Sequence, residues 1–126
     1  MSLATFLLIK ALVSLIFGIA FALAPGAAAS IYGYTLEPTG ALMTRFLGAA
    51  LIGIGLVCFL VRRVTDREAL EGVTLALFVG DTIGSIVAIA GQFGDAAVPL
   101  GWINVVIWVL LALGLGYFRF LKPIEP

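Results

Sequence analysis

The chain has 126 residues, of which 63% are apolar and 11% charged, and seven Lys/Arg balance seven Asp/Glu. A soluble domain is roughly half apolar and about a quarter charged, and one this small has too much surface for its volume to hide such an apolar surplus. With a mean hydropathy of +1.22, the composition excludes a soluble globular enzyme, a disordered tail and a nucleic-acid binder. It leaves an integral membrane protein.

The chain has no histidine and one cysteine, Cys58. The commonest general base and metal ligand is therefore missing, and so is any internal disulfide. The expectation is a non-enzymatic protein with no metal and no cofactor. Its partners would be the lipid bilayer and either other membrane subunits or further copies of itself.

The first apolar run, Leu3–Leu23, is interrupted by Lys10 and small polar residues. Ala22-Leu23-Ala24 resembles a signal-peptidase site. Against cleavage stand the lack of a basic residue before Lys10, the position of Lys10 inside the run, and Pro25 directly after the cut. The run is read as the first of four spans. The others are 41–61, carrying Arg45; 72–90, carrying Asp81; and 102–121, with Asn104 near its start and Arg119 near its end. Each is close to the roughly 20 residues that a helix needs to cross a bilayer. All five prolines, at 25, 38, 99, 123 and 126, fall outside the runs, as helix geometry requires. The runs are apolar on every side, so they read as helices and not as the alternating strands of a barrel.

The predicted fold is all-α, a single membrane domain over 1–126 built as a four-helix bundle. The connector after the second run carries Arg62, Arg63 and Arg67, and the tail carries Arg119 and Lys122, while 24–40 and 91–101 have no Lys or Arg. The positive-inside rule then places both termini in the cytoplasm. Within 24–40, Ala27–Tyr32 reads equally as a short interfacial helix or an ordered loop. Tyr32, Tyr34, Trp102 and Tyr117 suit the headgroup level.

Three ionisable residues lie within the spans: Lys10, Arg45 and Asp81. Charges in hydrocarbon face the bundle interior and find partners. At 1.5 Å rise per residue, Lys10 lies ~10 Å and Asp81 ~14 Å from the inner edge, and Arg45 lies ~6 Å from the outer one. Asp81 is the expected hub of this cluster, either as a structural ion pair or as a proton or cation site. Gly72, Ala76, Gly80, Gly84 and Ala88 recur every fourth position of the third run and predict a helix–helix seam, within the chain or between copies. Lys10, Ser14, Gly18 and Ala22 in the first run, and Ala41, Arg45, Ala49 and Gly53 in the second, predict further inward faces. Asn104 and Trp108 are candidate contacts for a lipid or quinone, or else aromatic packing. Cys58, near the inner end of the second run, reads as inert, the alternative being reversible acylation. An offset of 59 lays Arg45 on Asn104, Gly55 on Gly114 and Phe59 on Phe118, a faint parallel repeat.

Arg45-Phe46-Leu47-Gly48, Gly80-Asp81, Gly101-Trp102 and Gly116-Tyr117-Phe118 together resemble the DoxX-like group of small four-helix bacterial membrane proteins. Some members of that group associate with membrane redox systems. The resemblance therefore implies an accessory subunit of the bacterial inner membrane. No redox site carries over, because this chain has neither histidine nor a cysteine pair. The alternatives are a small transporter working through Asp81 with Lys10 or Arg45, and a lipid- or quinone-binding protein.

Overall fold

The computed structural model describes residues 1–122 and 124, and Pro123 and Pro126 of the sequence reading fall outside them. Among the described residues there are five α-helices and no strand. The helices are α1 (Leu3–Leu23), α2 (Pro25–Tyr32), α3 (Pro38–Val61), α4 (Arg67–Gln92) and α5 (Trp102–Gly116). A 3-10 turn, Pro99–Gly101, leads into α5, and a π turn, Tyr117–Leu121, continues it. Four segments are long and apolar enough to cross a membrane: α1, α3, α4 and the continuous stretch Pro99–Leu121. They are the features of a multi-pass membrane protein. The chain divides into two compact units, Met1–Arg62 and Arg63–Pro126.

In the first unit, the Ser2 side chain caps α1 by accepting from the Thr5 amide at 3.2 Å. The helix stops where Ala24 leaves helical geometry and Pro25, which has no N–H, begins α2. The short helix of the sequence reading is therefore present, starting two residues earlier than the Ala27 expected. It ends at Gly33, whose φ of +94° suits glycine. The Gly33 amide returns to the Ser30 carbonyl and the Tyr34 amide to that of Ala29, each at 3.0 Å, a Schellman closure. Helix α2 packs on α1 and α3 through Pro25, Ala28, Ala29 and Tyr32. Burial raises the pKa of the Tyr32 phenol above its ordinary value.

Helices α1 and α3 run antiparallel, with backbone against backbone. A Cβ on Gly48 would lie 2.4 Å from the Ala22 amide nitrogen and 2.6 Å from the Gly18 carbonyl oxygen. One on Gly18 would lie 2.9 Å from the Gly48 oxygen. Gly55 receives Leu15 and approaches the Ala11 carbonyl. The buried residues of α3 are Gly48, Gly55 and Cys58, whereas Ala49 and Gly53 are exposed. The expected inward face of this helix was thus rotated by about one residue, or roughly 100°. The expected face of α1 is right at Lys10, Ser14 and Gly18, all buried.

In the second unit, Asp66 caps α4 by accepting from the Ala69 amide at 2.9 Å. Glu68 sits favourably in the first turn, and Arg67 pairs with Glu71 at 3.0 Å, one turn on. These charged residues lengthen the third span beyond the 72–90 read from hydropathy. Pro38 and Pro99 likewise stand at first helical positions, so the second and fourth segments begin three residues earlier than expected. Helix α5 packs on α4 with large side chains seated on glycines. Trp108 covers Gly84, Phe78 covers Gly116, and the Gln92 amide lies against Gly101. Gln92 also donates to the Val98 carbonyl at 2.8 Å, tying the end of α4 to the return of the chain.

Candidate functional site

Of the three intramembrane charges, Lys10 and Arg45 belong to the first unit and Asp81 to the second. Lys10 is 3% exposed and Asp81 4%. Each lies well inside its helix, on a face with a further buried hydroxyl: Ser14 beside Lys10, and Thr74 and Ser85 along the face of Asp81. The Ser85 hydroxyl donates to the Asp81 carbonyl at 2.8 Å, which satisfies it within the helix.

Arg45 has a role that its sequence gave no sign of. From the second turn of α3 it reaches across, and its Nη1 donates to the Ala22 carbonyl in the last turn of α1. The last carbonyls of a helix lack intrahelical donors and carry partial negative charge, so a cation there satisfies both hydrogen bonding and the dipole. Arg62 does the same for its own helix. Its Nη1 donates to the Phe59 carbonyl, and its guanidinium lies 3.9 Å from the Phe59 ring centroid. Both long helices of the first unit therefore end under an arginine.

The small-residue stripe of α4 divides. Gly84 is occupied by the Trp108 indole, and Ala88 is half-buried. Gly72, Ala76 and Gly80 are exposed, and a Cβ on Gly72 or Gly80 would meet nothing within 4 Å. Trp108, a candidate ligand contact in the sequence reading, thus spends part of its face on packing. Asn104 is half-buried in the first turn of α5. Cys58 is fully buried, which removes it from acylation at the surface.

A second polar locus was not foreseen. The stretch that follows α5 is a π turn, in which the Lys122 amide donates to the Tyr117 carbonyl at 3.0 Å. Such turns are rare and occur mostly as single-turn bulges in α-helices, frequently at functional sites. Here the Phe78 ring occupies the space over Gly116 and meets Phe120 edge-on at 5.3 Å. The turn carries Arg119, whose Nε is enclosed and makes no hydrogen bond. Its guanidinium lies 5.4 Å from the Phe120 ring centroid. The glycine contacts set α4 and α5 in antiparallel register: 84 against 108, 78 against 116 and 92 against 101. That register brings Thr74 level with Arg119. The Thr74 hydroxyl is 0% exposed and also has no hydrogen-bond partner. No group of three or more potential metal ligands occurs among the described residues. The chain matches no family model, no curated protein and no solved structure.

Proposed function

We propose that this chain is a non-enzymatic accessory subunit of the bacterial inner membrane, with both termini cytoplasmic, packed through its helices against a larger membrane complex. The observation that carries this reading is the open part of the α4 stripe. Glycine and alanine at helix-turn spacing permit close approach of another helix, the main source of packing in lipid. Among the described residues of the second unit, nothing takes up that approach at Gly72, Ala76 and Gly80. The arginines of 62–67 and the cations at 119 and 122 support the orientation by the positive-inside rule. The resemblance to DoxX-like proteins supports an accessory role. The test is extraction from native membranes in mild detergent, followed by mass measurement of the intact assembly. A stable complex with different polypeptides is expected. A lone monomer or a homo-oligomer would overturn the reading.

The burial of Lys10 and Asp81 favours a second reading, a small ion or proton carrier. Ionisable groups so placed mark conduction paths more often than chance. Under it, Asp81→Asn abolishes flux in liposomes while the protein still assembles. Loss of assembly with the same variant makes Asp81 a structural residue.

A further inference from the structure

We infer that Arg119, held by the π turn at the end of the fourth span, binds a phosphate group, presented either by a membrane lipid or by free phosphate.

A guanidinium has five donors and no acceptor, and cannot shed its charge. In or near hydrocarbon each unsatisfied donor is costly, so arginines at membrane depth find acceptors. Of the four other arginines, three have one, and the fourth, Arg63, is exposed. Arg45 takes the Ala22 carbonyl, Arg62 the Phe59 carbonyl and Arg67 the Glu71 carboxylate. Arg119 has none among the described residues, and its guanidinium lies 5.4 Å from the Phe120 ring centroid. Nor is it a freely solvated surface group. It is half-buried, its Nε is enclosed, and the residues on both sides of it are engaged. Phe118 is buried under the Lys122 ammonium, and Phe120 is locked on Phe78. The acids on the first turns of α4 do not supply the counter-charge. Glu71 is taken by Arg67, and Glu68 is exposed.

With Nε enclosed, recognition falls to the two terminal nitrogens, whose parallel N–H groups match two oxygens of one phosphate. Carboxylates share that geometry, but the position selects against them. Arg119 ends an apolar segment long enough to span a bilayer, where phosphodiester groups are concentrated. The exposed rings of Tyr117 and Phe120 would lie against acyl chains and glycerol below such a group. Thr74, level with Arg119, likewise has a buried hydroxyl with no hydrogen-bond partner among the described residues.

The experiment uses the full chain in detergent micelles, titrated separately with short-chain phosphatidylglycerol and with inorganic phosphate, bound ligand being counted by native mass spectrometry. The wild type should retain phosphatidylglycerol, and Arg119→Gln should weaken this by about tenfold, the loss expected for a charge-assisted bidentate contact. Arg63→Gln, which removes an exposed arginine, should change nothing. Binding of inorganic phosphate that depends on Arg119, without lipid retention, assigns the same site to free phosphate. Elution volume and helical circular dichroism check that each variant is folded. Should Arg119→Gln not fold, Arg119→Lys decides, since it keeps the charge and loses the paired donors. A loss of affinity with Arg119→Lys supports the site, and wild-type affinity overturns it. The inference also fails if neither probe binds, if Arg119→Gln binds like wild type, or if Arg63→Gln loses as much.

Discussion

In the first unit, glycine lets one backbone touch another, with Gly48 lying against the Ala22 amide and the Gly18 carbonyl. In the second, glycine makes room for a side chain, with Gly84 under Trp108 and Gly116 under Phe78. Both arrangements come from the same residue type at similar helical spacing. They differ in what can yield. A peptide group cannot move without moving its helix, whereas an indole can change rotamer. Two hairpins of nearly equal length therefore have unequal tolerance to added atoms. At Gly18 and Gly48 the first is fixed by main-chain geometry, while at Gly84 and Gly116 the second is fixed by side chains.

The sharpest way to break that comparison is Gly48→Ala. The added methyl should cost about 3 kcal/mol, at the upper end for overpacking, because α1 and α3 must separate. Reversible unfolding in mixed micelles measures it, and no single partner substitution should restore the loss. Gly84→Ala should cost less, about 1–2 kcal/mol, and Trp108→Leu should recover most of it in the double variant. Equal rescue in both hairpins would erase the distinction. Arg45→Gln removes the cation from the end of α1 and should cost about 1 kcal/mol, with lower salt enlarging the effect. Thr74→Val replaces an unsatisfied buried hydroxyl with an isosteric methyl and should stabilise the second unit by about 1 kcal/mol. The smallest effect belongs to Gly80→Ala. It should shift the stability of the purified chain by less than about 0.5 kcal/mol, as at other open positions. In native membranes the same variant should lose any partner that packs on α4.

Much of the helical frame was legible from hydropathy, and Leu3–Leu23 matches α1 at both ends. Hydropathy failed at Arg67–Glu71, where a capped, charged turn is helical without being apolar. Periodicity found that α1 and α4 carry small residues, but period alone does not say what meets them. It missed that Gly18 faces Gly48, and placed the packed face of α3 at Ala49 and Gly53. The offset repeat also breaks in the structure: Phe59 is 41% exposed and Phe118 is 5% exposed. Arg45 on Ala22 joins residues 23 positions apart, and no local pattern signals such a pairing. The π turn begins directly after Gly116, against which Phe78 of another helix packs, and the sequence around Arg119 does not announce it either.

The arginine at the end of α1 bears on how two helices of the first unit depend on each other. Helix α1 precedes α3 in the chain, and Pro25 stops its hydrogen-bond ladder from running on. Without Arg45, the Ala22 carbonyl lacks its side-chain donor, a costly condition in hydrocarbon. One carbonyl at the end of α1 is thus satisfied from α3. In the folded chain the end of α1 and the start of α3 are joined by that one side chain, so a substitution at 45 is felt at the end of a different helix.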